Sequence, residues 1–80
     1  MTFLLISGFY PEPNPDTSLQ YERDVPQELE KEVLAAMGWT SQADVPAGEN
    51  ELKRDQTIAV MAALGDPVRD DLMYCVGLCR

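Results

Sequence analysis

Thr2-Phe3-Leu4-Leu5-Ile6-Ser7-Gly8-Phe9-Tyr10 is the stretch on which the fold turns. It carries no charge, is rich in aromatic and branched side chains, and stops at Pro11. Apolar residues occupy both parities: Phe3, Leu5 and Phe9 on one, Leu4, Ile6 and Tyr10 on the other. A strand wetted on one face alternates apolar with polar residues. This one does not, so it reads as an inner strand covered on much of both faces, with the rest of the chain pairing with it or packing on it.

Pro11, Pro13 and Pro15 follow at alternate positions, where they donate no ladder hydrogen bond and favour a stiff, extended path. Residues 11–16 are therefore a loop. It is either a long hairpin connection or a preformed arm offered to a partner. Residues 17–25 then alternate, with Leu19, Tyr21 and Val25 on one face and Ser18, Gln20 and Glu22 on the other. That pattern predicts a half-buried strand antiparallel to the first, leaving the sheet near Arg23, which breaks the inward set.

Asp24-Val25-Pro26-Gln27 has the grammar of a helix start: a capping carboxylate, a proline early in the first turn, and Gln27 placed to reach back. Leu29, Val33, Ala36 and Met37 recur at helical spacing, and Gly38 stops the pattern, which predicts a helix over 26–37. Its outer face carries Glu28, Lys31 and Glu32. Glu28 and Glu32 form a like-charged i,i+4 pair that Lys31 only partly offsets. Such a run is either a solvated face or a surface kept acidic for a partner. Trp39 opens a polar linker, either folded back on the last helical turn or anchoring an interface.

A second helix is expected over 50–64, capped by Asn50 and stopped by Gly65. Its second half, Ile58 to Leu64, has no polar group on any side, so it is buried all round or presents a contact surface, burial being the simpler reading. Asp66-Pro67 forces a turn, Asp70 and Asp71 follow, and residues 72–80 form a last strand with apolar atoms on both parities. The order β-β-α-α-β predicts a single α+β domain over 1–80. Its three-stranded antiparallel sheet has the N-terminal strand central and both helices on one face.

The 14 Asp and Glu, 6 Lys and Arg and absence of His set a formal charge of −8. Nucleic acid and anionic membrane surfaces are poor partners for such a chain, and a basic protein is a good one. Acidity serving solubility alone is the plainer alternative. Without histidine neither a Ser-His-Asp nor a Cys-His arrangement is available, and the scattered glycines form no phosphate loop, so the chain is not expected to be an enzyme. No cofactor is implied. The carboxylates show no calcium-loop spacing and the two cysteines no zinc pattern, so no metal is expected. Cys75 and Cys79 on one strand lie about 13 Å apart, too far to bridge, and free thiols fit a cytoplasmic location. The start of the chain has no basic segment or small-residue cleavage site, and no apolar run approaches the ~20 residues of a membrane span.

Three features together resemble small bacterial immunity proteins, including those of contact-dependent growth inhibition systems. They are the apolar strand from Phe3 to Tyr10, the Glu22-Arg23-Asp24-Val25-Pro26 strand-to-helix junction, and the closing Tyr74-Cys75-Val76-Gly77-Leu78. The resemblance rests on element order, size and acidity and transfers no residue by position. It implies a chain that neutralises a cognate toxin domain, often a basic nuclease, by blocking its active site inside the producing cell. The free protein would be a monomer or weak dimer. Acidic side chains would then stand in for phosphates in the toxin's groove. The candidates are Glu28, Glu32, Asp70 and Asp71, with Tyr10, Tyr21 or Trp39 as anchors. A phage-encoded inhibitor of a host nucleic-acid enzyme would use the same acidic logic, and a structural or homo-oligomerising domain would use its sheet edges instead.

Overall fold

The computed structural model describes residues 2–11 and 18–80. The elements are β1 (Phe3–Phe9), β2 (Tyr21–Asp24), a 3₁₀ turn at Gln27–Leu29, α1 (Glu30–Ala36), a second 3₁₀ turn at Gln42–Asp44, β3 (Asn50–Glu51), α2 (Arg54–Leu64) and β4 (Met73–Cys79). The sheet is antiparallel, in the order β2-β1-β4-β3. The α+β class and the central place of the N-terminal strand match the sequence reading, but the sheet has four strands where three were expected. The proline loop lies outside the described residues apart from Pro11.

The extra strand arises at Asn50, which was expected to cap a helix. Its side-chain amide instead donates to the carbonyls of Pro46, Gly48 and Val76. Its backbone faces Val76, Glu51 faces Cys75, and the Leu52 N–H continues the ladder onto the Tyr74 carbonyl at 2.9 Å. An asparagine that satisfies nearby carbonyls holds the chain out of helix. The α2 helix therefore begins only at Arg54, with the Lys53 N–H donating to Gln56 Oε1 at 2.9 Å.

The α1 helix is also shorter than predicted. Asp24 does not cap it, because β2 continues through Asp24 opposite Leu5, and the Val25 N–H donates to the Leu4 carbonyl at 2.9 Å. Pro26 stays extended, Gln27–Leu29 forms one 3₁₀ turn, and α-helix starts at Glu30. At the far end Gly38 takes φ 81°, with Gly38 N–H donating to Ala35 O and Trp39 N–H to Leu34 O. This left-handed stop turns Trp39 back onto the core.

Leu4, Ile6, Tyr74 and Val76 from the sheet form one buried cluster with Val33, Leu34, Val60, Met61 and Leu64 from the helices. All four strand residues are of one parity, so both helices lie on that face. The expectation that β1 is covered on much of both faces thus holds for the helix side and only in part for the other, where Ser7, Cys75 and Gly77 are buried but no helix lies. Its other parity, with its β4 partners, carries Phe3, Leu5, Phe9, Met73 and Cys79, which are partly exposed and outside that cluster. No helix remains to cover them, because two helices of 7 and 11 residues are used up on the first face.

Two further expectations give way. Leu19 is not inward but 44% exposed, since β2 begins only at Tyr21. Arg23 does not leave the sheet; it pairs with Ile6, and its long side chain carries the guanidinium to Asp66. The α2 helix is not buried all round either. Val60, Met61 and Leu64 face the core, while Ile58, Ala59 and Ala62 are exposed.

Candidate functional site

Two groups of polar side chains gather on the helix-covered side. In the first, the Tyr21 hydroxyl donates to Asp66 Oδ2 at 2.6 Å and Arg23 donates to the same oxygen at 2.7 Å. Asp66 is brought there because Gly65 ends α2 in the left-handed region and turns the chain back toward β2. The Tyr21 ring meets Tyr74 edge to face, with centroids 5.6 Å apart. Burial, and then the hydrogen bond to Asp66, push the Tyr21 phenol well above its ordinary range. The hydrogen bonds from Tyr21 and then Arg23 hold Asp66 below the usual carboxylate value.

The signs of these shifts set a pH profile. A lowered Asp66 contributes stability that is present above its unfolded pKa and lost as pH falls through the folded value. A raised Tyr21 contributes stability that is present below about pH 10, its ordinary pKa, and lost as pH climbs from there toward its folded value. Tyr21→Phe is expected to lower the melting temperature at neutral pH and flatten the loss above about pH 10. Thermal unfolding of both proteins across the alkaline range checks this, and parallel alkaline profiles would refute it.

The second group surrounds Arg69. Its guanidinium donates to both oxygens of Asp71, at 3.1 and 2.7 Å, while its backbone N–H donates to the Tyr74 hydroxyl at 3.0 Å; Asp71 first, and then Tyr10, push the Arg69 pKa upward. The pair with Arg69 draws Asp71 below the usual carboxylate range. Nearby, Arg54 meets Asp70 at 3.2 Å, both side chains mostly exposed, so that pair adds little. A cleft of about 290 Å³ opens here, lined by Pro11, Leu52, Thr57, Val68, Leu72 and Tyr74, with Arg54, Arg69 and Asp70 also on its wall. Its arginines are engaged by aspartates. The cleft is suited to positioning an apolar group, and it presents no activated nucleophile.

The structure thus divides the sequence candidates. Tyr10 and Asp71 meet through Arg69, and Tyr21 joins them through Tyr74. Asp70 and Asp71 are both held by arginines, and Tyr21 is committed to Asp66. Trp39 packs against the core, as does part of Tyr10. Glu28 sits in the 3₁₀ turn and Glu32 in α1, both exposed. No ion pair to either is found among the described residues.

Glu22, Asp24 and Glu51 were not among the partner-contact candidates read from sequence. They lie on the sheet face turned away from the helices, opposite Ser7, Leu5 and Cys75. Their alternation with Tyr21 and Arg23 was legible for the first two; that no helix packs on this face was not. Glu49 joins them. A Cβ built on Gly77 would lie 3.4 Å from its carboxylate, and Glu49 with Glu51 adds to burial in pushing the Cys75 thiol upward.

Neither family models, nor curated proteins, nor solved structures match this chain. Among the described residues no group of three or more His, Cys, Asp or Glu side chains is arranged to hold a metal ion, and no helix is long and apolar enough to cross a membrane. The cysteines are free thiols, Cys75 buried and Cys79 partly exposed.

Proposed function

We propose that the chain is an inhibitor of the immunity type, which binds a basic toxin domain in the cytoplasm of the producing cell and occludes its active site. The observation that supports this reading is the uneven distribution of charge. Arg23, Arg54 and Arg69 are paired with Asp66, Asp70 and Asp71, so the α2–β4 corner is close to neutral. The acidic excess lies outside that corner: Glu22, Asp24, Glu28, Glu30 and Glu32 stand with Lys31 between β2 and α1, and Asp44, Glu49 and Glu51 follow with no basic residue among them. A field of one sign outside that corner speeds encounter with a cationic surface and disfavours anionic partners.

The pairing of Asp70 and Asp71 shifts the phosphate-mimicking role to Glu28 and Glu32. The direct test mixes the chain with the basic toxin domain encoded beside its gene. A one-to-one complex in sedimentation, with toxin activity abolished, is expected, and the absence of a complex would overturn the proposal. Within that complex E28Q/E32Q is expected to weaken affinity about tenfold at low salt, with a shallower salt dependence. Unchanged affinity and salt slope would remove these two residues from the contact.

A further inference from the structure

The face of the sheet turned away from the helices has an order of its own. Reading across the strands, one row runs Glu22, Ser7, Cys75, Glu51 from β2 through β1 and β4 to β3. The adjacent row runs Asp24, Leu5, Gly77, and the Glu49 carboxylate lies against Gly77 at its far end. Each row is apolar or small in the middle and acidic at both ends; Ser7, Cys75 and Gly77 are buried, and Leu5 is partly exposed. Three strand spacings of about 4.8 Å separate Glu22 from Glu51, a span of about 14 Å. Beyond the two rows the face is apolar in both directions, with Phe9 opposite Met73 on one side and Phe3 opposite Cys79 on the other.

We propose that this face is a docking surface for a basic protein, whose apolar ridge lies along β1 and β4 between two lines of lysine or arginine. The proposal rests on the inhibitor reading for the kind of partner and adds the surface. Partly exposed apolar side chains framed by charge have the anatomy of a protein interface, an apolar centre within a polar rim. Here the rim is of one sign on both flanks, which selects the occupant. A second copy laid face to face would bring carboxylates against carboxylates along both rows, and like charges so juxtaposed oppose association. A nucleic acid or an anionic bilayer meets the same repulsion. A surface with cations about 14 Å apart and apolar residues between them satisfies both parts at once.

The test uses the whole chain and a defined probe, an extended peptide repeating Lys-Ser-Leu-Ser, which sets a leucine between lysines about 14 Å apart on one face, with glutamate in place of lysine as control. Amide chemical shifts are followed by NMR during titration. The Leu–Lys peptide is expected to move Phe3, Leu5, Phe9, Met73 and Cys79, and the Leu–Glu peptide to move none of them. E22Q/D24N/E51Q, all at exposed positions, is expected to lose about tenfold in affinity for the Leu–Lys peptide. E28Q/E32Q should stay within about twofold, because the peptide is confined to the sheet. Shifts confined to α1, equal loss in both variants, or a concentration-dependent dimer that closes this face would overturn the proposal. The two readings fail separately. A toxin-domain complex whose shifts spare the sheet face keeps the inhibitor and removes the surface. Peptide binding on the sheet without any basic toxin partner keeps the surface and removes the inhibitor.

Discussion

Ile6→Ala is expected to lower stability by about 2–5 kcal/mol and to leave much of the chain unfolded at modest urea concentrations. Ile6 is fully buried at the centre of β1, between Arg23 on β2 and Val76 on β4, in the cluster that joins the sheet to both helices. Truncation removes apolar contacts and opens a cavity that the hydrogen-bonded ladders on both sides prevent from collapsing. A chain of about 80 residues has roughly 4–12 kcal/mol of total stability, so the loss is a large share of it. Urea unfolding should show a lower midpoint with an unchanged slope. Ile58→Ala is the control: Ile58 is 49% exposed on α2, and its loss should stay within about 0.5 kcal/mol. Equal effects at the two positions would refute the one-sided burial of the helices.

Gly8→Ala is the second large effect, about 1–3 kcal/mol of destabilisation from a single added methyl. A Cβ on Gly8 would lie 3.0 Å from Tyr21 Cβ, 3.1 Å from Leu72 Cδ1 and 3.3 Å from Tyr74 Cε1. Gly8 is in register with both tyrosines, whose edge-to-face rings fill the space that a side chain there would take. Leu72 and the Tyr74 ring have some freedom to move. Tyr21 Cβ is fixed to the β2 backbone, so β1 and β2 must separate. Ala is otherwise favoured over Gly in a strand, by about 0.5–1 kcal/mol, and the clash must exceed that gain. Thermal unfolding gives the magnitude. Exchange of the Gln20 amide, which donates to the Gly8 carbonyl at 2.8 Å, should quicken in the variant. A variant as stable as the parent, with unchanged exchange, would show that the strands yield there without cost.

The elements that the sequence announced correctly are those whose signal is local. Gly38 and Gly65 end their helices with φ of 81° and 76°, as glycines after an apolar periodic run should. β1 and β4 span Phe3–Phe9 and Met73–Cys79, within a residue or so of their apolar runs. The missed boundaries share one cause. Asp24 and Asn50 both resemble helix caps, but each is drawn into a ladder by a strand distant in sequence, β1 for Asp24 and β4 for Asn50. A cap adds about 1 kcal/mol; several ladder hydrogen bonds together outweigh it. The candidate site divides in the same way. Exposure of Glu28 and Glu32 follows from helical spacing, whereas the pairing of Asp70 with Arg54 and of Tyr21 with Asp66 spans 16 and 45 residues.

Sequence alone therefore determined the class of the fold, the central position of the first strand, the helix stops, the strong negative charge and the lack of histidine chemistry. All of these follow from composition or from patterns a few residues long. Tertiary structure decided which carboxylates are neutralised by arginines, that a fourth strand closes the sheet at Asn50, and that the helices cover one face only. The physical reason is that apolar residues on both parities of a strand state how much it would bury. Whether anything arrives to cover the second face depends on how much helix the rest of the chain supplies.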